Sequence, residues 1–297
     1  MIPQKTRFVD ERQVRRGFDR VAALYDAHAV IEREIGSRML ERLDYVRIEP
    51  QVVVDLGCGT GVAYSALRER YPKALIAGVD LSEQMLRAGE RSRREWQDWL
   101  MPFLRGRGAG NLQKIGGNAA LVPIKTGCAQ LVWSNLLLHW CDDATAVIRE
   151  MHRVLEVGGL TTFTTFGPDT LKELRSAFAD GKTHNQRFTD MHDLGDMLVH
   201  AGFADPVMDM EVITLEYSEP ARLFEDLRRT GAGNAMLDRS RGLQGRQRWA
   251  AMLARLEVLR RNGKLPLTLE LVYGHAWKGT PKKTADNRSV IQFVPRK

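Results

Sequence analysis

The chain has 297 residues, 43% hydrophobic and 27% charged, with 44 basic against 37 acidic side chains and a net charge of +7. These proportions suit a globular protein with a sizeable core and exclude a disordered, collagen-like or disulfide-stapled chain. No apolar run reaches the roughly 18 residues that a membrane-spanning helix needs, and Met1–Asp10 lacks the apolar centre of a secretory signal, so a cytoplasmic setting is expected.

Val14, Phe18, Val21, Tyr25 and Ala29 recur at three- and four-residue steps, which predicts helix over 9–43 with one buried face; Pro50 breaks it. Val52-Val53-Val54 has no polar alternation, as in a strand buried on both faces. Helix over 61–70, strand 74–79, helix 82–99 capped by Ser82, strand 113–115, strand 130–135, helix 144–155 and strand 160–166 follow, with Gly158-Gly159 ending the last helix. Such alternation implies right-handed crossovers and an α/β, mostly parallel sheet. After Gly167-Pro168 it stops. Residues 169–178 and 190–201 read as helices of a cap or insertion, 212–217 as strand, 223–261 as helix with basic flanks, and 265–273 as a long strand. Residues 280–297 read as a polar tail, with 289–294 as one more edge strand or loose chain. A single domain is expected: 10–48 as N-terminal helices over the site, 49–166 as core, 167–205 as cap and 206–279 as C-terminal strands and basic helices.

The strongest motif is Val52-Val53-Val54-Asp55-Leu56-Gly57-Cys58-Gly59-Thr60-Gly61. A buried strand ends at an acid and enters a glycine turn that opens a helix, so the backbone can bend sharply and approach a ligand. Val62 departs from the dinucleotide fingerprint, and no phosphate-binding lysine follows. Asp80 ends the second strand nineteen positions after Gly61, where an acid can accept both hydroxyls of a ribose. The plain alternative is a tight structural turn. Cys58, Cys128 and Cys141 lack metal or disulfide spacing, no HExxH occurs, and no metal is expected. His139, beside tryptophan and leucines, reads first as a packed residue and second as a base.

Arginines cluster at 87, 91, 93, 94, 105 and 107, and again at 228, 229, 239, 241, 246, 248, 255, 260 and 261. Either these are solvated helix faces or they dock an acidic partner. Few aromatics interleave with them, which places an acidic protein ahead of nucleic acid.

The glycine turn paired with Asp80 resembles class I S-adenosylmethionine-dependent methyltransferases, which implies a Rossmann-like fold with a seven-stranded sheet and helices on both faces. By that resemblance Asp55, Gly57, Gly59 and Gly61 hold the amino-acid part of S-adenosyl-L-methionine, and Asp80 takes the ribose. Leu81, Met85, Asn118, Ala119 and Asn135 complete the cofactor pocket, and S-adenosylhomocysteine is the product. The family commonly has an acid where Asn118 stands; an amide oxygen can still accept a hydrogen bond there.

A more specific resemblance runs over roughly residues 10–280. It is carried by Phe18-Asp19-Arg20-Val21-Ala22-Ala23-Leu24-Tyr25-Asp26, Trp133-Ser134-Asn135-Leu136-Leu137-Leu138-His139-Trp140, Phe166-Gly167-Pro168-Asp169-Thr170-Leu171, Phe188-Thr189-Asp190-Met191-His192 and Val272-Tyr273-Gly274-His275-Ala276-Trp277. These segments resemble the malonyl-acyl carrier protein O-methyltransferases of biotin biosynthesis. The resemblance implies methyl transfer to the free carboxylate of a malonyl thioester on an acidic acyl carrier protein, with the coenzyme A thioester left open; the absence of a nucleic-acid-binding motif and of a long apolar run makes neither nucleic acid nor membrane an expected partner. It points to Arg175 as the substrate-positioning residue and Tyr25 as a lid over the pocket. Members often carry Gln where His139 stands, which argues against a base there. Three rivals remain: a methyltransferase-like arginine hydroxylase of complex I assembly, a non-catalytic cofactor-binding protein and a small-molecule methyltransferase.

Overall fold

The computed structural model describes residues 7–89, 112–178, 180–240, 242 and 245–280. Seven strands form one sheet in the order β3-β2-β1-β4-β5-β7-β6, from β1 (Val52–Leu56), β2 (Leu75–Asp80), β3 (Leu112–Gly116), β4 (Ala129–Ser134), β5 (Leu155–Phe166), β6 (Ala204–Tyr217) and β7 (Leu265–Trp277). The first five pair in parallel, and β7 runs antiparallel between β5 and β6. This is the mostly parallel α/β sheet expected from the strand–helix alternation.

Successive side chains of a strand point to opposite faces, and the central strands are apolar on both. Val53, Ile76, Leu131 and Trp133 face one layer, with Ile35 and Met39 of α3 (Val30–Arg42) and Leu67 of α4 (Tyr64–Arg70). Val54, Leu56, Val79 and Val132 face the other, with Val147, Ile148 and Met151 of α6 (Ala144–Val154) and Leu194 and Leu198 of α8 (Met191–Ala201). The helix after β2 is described over 83–89 (α5), and Ser82 caps it, its hydroxyl accepting from the Met85 amide at 3.2 Å.

Several expected boundaries differ. The single helix read over 9–43 is three pieces, α1 (Glu11–Val21), α2 (Tyr25–His28) and α3. The cause lies in packing: α1 buries Val14 with Ala235 and Met236, whereas α3 buries Ile35 and Met39 under the sheet, and a straight helix cannot serve both cores. The helix read over 223–261 is two, α9 (Pro220–Arg229) and α10 (Arg246–Val258), parted at Gly231, whose φ of +76° is left-handed. Strand β6 begins at Ala204 rather than 212, because Asp205, Asp209 and Glu211 lie on an edge strand whose burial alternates. Of the two helices read into a cap, α8 lies in the sheet-covering layer and α7 (Lys172–Phe178) packs with α9, α10 and β7. The strand suggested over 289–294, and all of the first arginine cluster but Arg87, lie outside the described residues.

The cap is fastened to β7 through two glutamates. Glu173 Oε2 accepts the Thr268 amide at 2.9 Å, and its Oε1 accepts the Thr268 hydroxyl at 2.5 Å. Glu270 Oε2 accepts the Asp169 amide at 2.6 Å. A Cβ on Gly167 would sit 2.5 Å from Glu270 Oε1, so a side chain there would push the Glu270 carboxylate off the Asp169 amide. Glu173→Ala strands a buried amide and a buried hydroxyl. It is expected to lower unfolding free energy by about 2–4 kcal/mol, read from urea midpoints. A loss below about 0.5 kcal/mol would mean that water replaces the carboxylate.

Candidate active site

Strand order reverses between β1 and β4, and in open α/β sheets the crevice at the carboxyl ends of such strands is where ligands sit. A cavity of about 340 Å³ opens there. It gathers Tyr25, Asp55, Gly57, Gly59, Asp80, Leu81, Met85, Asn118, Ala119 and Asn135. Two sequence candidates stand apart. Gly61, at φ +89°, faces the Lys114 side chain, and Arg175 lines a neighbouring cavity.

The glycine turn is built by backbone bonds across β1 and β2. The Gly57 and Cys58 amides both donate to Val79 O, at 2.8 and 3.2 Å. The Gly59 amide donates to Asp80 Oδ2 at 2.8 Å, while Asp80 Oδ1 accepts the Ser82 amide at 2.7 Å. Gly57 and Gly59 adopt φ of +74° and +54°, and a Cβ on Gly57 would meet Leu137 Cδ1 at 2.9 Å. A side chain at either position would be strained as well as crowded.

The N-terminal helices close over this turn. Thr60 Oγ1 donates to Asp26 Oδ1 at 2.5 Å, and Ser82 Oγ donates to Asp19 Oδ1 at 2.6 Å. Asn118 Nδ2 reaches Glu11 Oε2 at 3.1 Å, and its Oδ1 accepts the Ala120 amide at 2.8 Å. Asn135 Nδ2 donates to Glu32 O at 2.8 Å and Oδ1 accepts from Thr164 Oγ1 at 2.6 Å, so Asn135 ties α3 to β5 as well as lining the cavity. After β4 the chain passes through Leu136 at φ +55°, an uncommon conformation for leucine, before a short 3-10 turn, Leu138–Trp140.

That turn carries His139 to the boundary of a second cavity, of about 470 Å³, beneath the cap. Glu32, His139, Trp140 and Phe166 line both cavities. His139 packs against Phe166 and Phe188, at ring separations of 5.0 and 5.8 Å, and its Nδ1 lies 3.3 Å from Thr165 Oγ1. Arg175 reaches back to Thr170 O at 2.5 Å and to Pro168 O, so its guanidinium holds the cap turn while facing the second cavity.

Burial dominates the electrostatics. Asp55 is 4% exposed, and burial, reinforced by the negative Asp80, pushes its carboxyl up to about 7. Burial also raises Asp80, opposed by the amide bonds from Ser82 and Gly59. Burial pushes Glu32 up to about 7, and Glu32 Oε2 has no hydrogen-bond partner among the described residues. Burial holds the His139 imidazole neutral, at about 3, and raises the Tyr25 phenol, with Glu32 and Asp80 adding to it. Glu32 and, beneath the cap, Gln186 escaped the sequence reading, and Trp133, read only as part of a family segment, leaves its buried Nε1 without a partner among the described residues. Only tertiary packing buries Glu32 and Gln186, and no local pattern marks them.

Asp55 makes stability depend on pH. Its folded-state pKa lies above the ordinary aspartate value, so the stability it contributes is complete below about pH 4 and is lost as pH rises through about 7. Asp55→Asn carries no charge at any pH. Its advantage over wild type is expected to grow from about pH 4 to 7 and level at about 2–4 kcal/mol near pH 8. Urea titrations across this range provide the check, with Glu32 present in both proteins as a common background. Parallel curves would mean that Asp55 ionises in the fold without penalty.

Residues 54–163 match the family model described as a methyltransferase domain. The chain is 49% identical over 280 residues to the malonyl-acyl-carrier protein O-methyltransferase of Nitrosospira multiformis, covering 93% of this chain and 91% of that relative. It is 44% identical over 286 residues to the protein of that name from Gallionella capsiferriformans, covering 96% of each. Among solved structures, the YcgJ protein of Bacillus subtilis superposes with a TM-score of 0.59 at 15% identity, over 83% of this chain and 99% of that one, a likeness of fold. With a methyltransferase domain across its first five strands and such relatives along nearly its whole length, the chain belongs to the malonyl-acyl-carrier protein O-methyltransferase family of S-adenosylmethionine-dependent enzymes.

Proposed function

We propose that this protein transfers a methyl group from S-adenosyl-L-methionine to the free carboxylate of a malonyl thioester borne on an acyl carrier protein. The observation that carries the reading is a pair of cavities meeting at Glu32, His139, Trp140 and Phe166. One is walled by acids and a glycine turn, the other by the apolar underside of the cap with an arginine.

The first cavity fits the cofactor. Asp80 retains lone pairs for the ribose hydroxyls, Asp55 and the exposed faces of Gly57 and Gly59 suit a cationic amino-acid end, and Leu81 and Met85 offer an apolar wall. When bound, S-adenosyl-L-methionine supplies a methyl group on a positively charged sulfur. The chain's own residues must then bring a carboxylate to that position and exclude water.

An ordinary carboxylate is ionised at neutral pH, so no base need remove a proton. This agrees with His139, whose burial keeps it neutral and suited to a single hydrogen bond rather than an ion pair. Trp140, Phe166 and Phe188 wall the boundary with aromatic surface. Such a dry setting strips water from the nucleophile and strengthens the few polar contacts left. Arg175 spends two donors on Thr170 and Pro168 and keeps others for the substrate. Tyr25 remains a phenol and can donate at the lid.

The carrier protein docks, in this reading, on the second arginine cluster. Exposed Arg228 and the half-exposed Trp249 line the second cavity, and exposed Arg246 and Arg248 stand on the same helix as Trp249. An acidic partner would meet positive charge and an aromatic at the mouth through which its thioester enters.

Intact-mass spectrometry of malonyl-acyl carrier protein with S-adenosylmethionine tests the reading. A gain of one methyl on the malonyl form and none on the acetyl form is expected; no gain on either overturns it. The two cavities also predict opposite defects. Arg175→Ala should cut kcat/KM at least about tenfold with S-adenosylhomocysteine affinity unchanged. Asp80→Ala should mainly weaken that affinity. Parallel losses in both variants would contradict the division.

A further inference from the structure

We infer that Gln186, on the segment between α7 and α8, binds a secondary amide of the thioester's arm. This deepens the methyl-transfer reading and rests on it. Gln186 lines the second cavity and is 7% exposed, yet neither its Nε2 nor its Oε1 has a partner among the described residues. Beside it, the buried Asn185 Nδ2 is likewise unpartnered. Buried amides are nearly always satisfied, so an orphaned one facing a cavity marks a ligand's place.

The segment is held firmly enough for that role. Thr183 O accepts from Asn234 Nδ2 at 2.7 Å, and Thr183 Oγ1 donates to Asp238 Oδ2 at 2.9 Å. The His184 ring stacks on Phe178 at 3.7 Å, and its Nε2 lies 2.7 Å from Asp180 Oδ1. The chain on one side of Gln186 is therefore pinned to the cap and to the segment after α9.

A primary amide presents one acceptor and two donors. A carboxylate would satisfy the donors and set its charge against Oε1. A hydrocarbon would satisfy neither end. A secondary amide satisfies both, its carbonyl accepting from Nε2 and its N–H donating to Oε1. Thioesters on a phosphopantetheine arm carry such an amide two methylenes from the sulfur. The placement agrees: Phe188, two residues beyond Gln186, has its ring 5.8 Å from that of His139 at the boundary of the cavities. Two residues of chain span at most about 7 Å, so Gln186 stands near that boundary, within the range a thioester arm covers between its acyl carboxylate and that amide.

The test compares malonyl-N-acetylcysteamine, which has the amide, with malonyl-butanethiol, which lacks it, in full-length wild type and Gln186→Met. Wild type is expected to favour the amide-bearing thioester about tenfold in kcat/KM. Gln186→Met should bring that ratio close to unity, leave S-adenosylhomocysteine affinity unchanged and raise Tm by about 2 °C, because it removes two unsatisfied buried groups. Gln186→Glu keeps the shape but loses the donor, and should collapse the ratio as well. A wild type without preference, or variants that retain it, would overturn the assignment while methyl transfer to malonyl-carrier protein stands. Absence of methyl transfer in wild type would overturn both.

Discussion

The bond from the Gly59 amide to the Asp80 carboxylate is the constraint around which the rest of the molecule is arranged. It joins the turn after β1 to the end of β2. It requires the left-handed backbone that glycine supplies at Gly57 and Gly59, and it leaves a carboxylate at the mouth of the crevice. The N-terminal helices then dock on the two flanks of this joint, through Asp26 on Thr60 and Asp19 on Ser82. The same joint that shapes the cavity thus also seats its cover.

Much of this was legible from particular residues. Val52-Val53-Val54 announced a strand buried on both faces, Asp55 and the glycines announced its turn, and Asp80 marked the neighbouring strand's end. Ser82 was readable as a helix cap because a hydroxyl just before a helix can accept an amide of its first turn, here that of Met85. The errors share a cause. The helical period over 9–43 records which residues are buried but not in which core, so the breaks at α2 were invisible. The strand β6 was legible only from 212 because the acids before it, which an edge strand tolerates on its open face, interrupt the apolar alternation. Glu32 and Gln186 carry no local signal, since an acid on a helix or an amide in a polar segment becomes informative only once the fold has buried it.

The site is costly to the fold. Asp55 and Glu32 are carboxyls that burial drives toward the neutral form, and Trp133, Asn185 and Gln186 keep polar atoms with no partner among the described residues. Leu136 adds backbone strain at the carboxyl end of β4. Away from the cavities the Tyr64 hydroxyl is also buried without a partner among the described residues, but other buried polar groups are matched: Glu173 with Thr268, Glu270 with Asp169 and Thr170, Lys278 with the carbonyls of His152 and Leu155. Unsatisfied groups concentrated along two adjoining cavities are the mark of surfaces shaped for ligands rather than for the folded chain alone.

The central claim is the division of labour between the cavities, with reaction at their shared boundary. A crystal structure with S-adenosylhomocysteine and malonyl-N-acetylcysteamine tests it most directly. Ribose hydroxyls on Asp80 in the first cavity, the thioester arm in the second and the malonyl carboxylate beside His139 are the expected arrangement. A nucleoside beneath the cap, or a malonyl carboxylate held at the outer mouth beside Arg228, would contradict it.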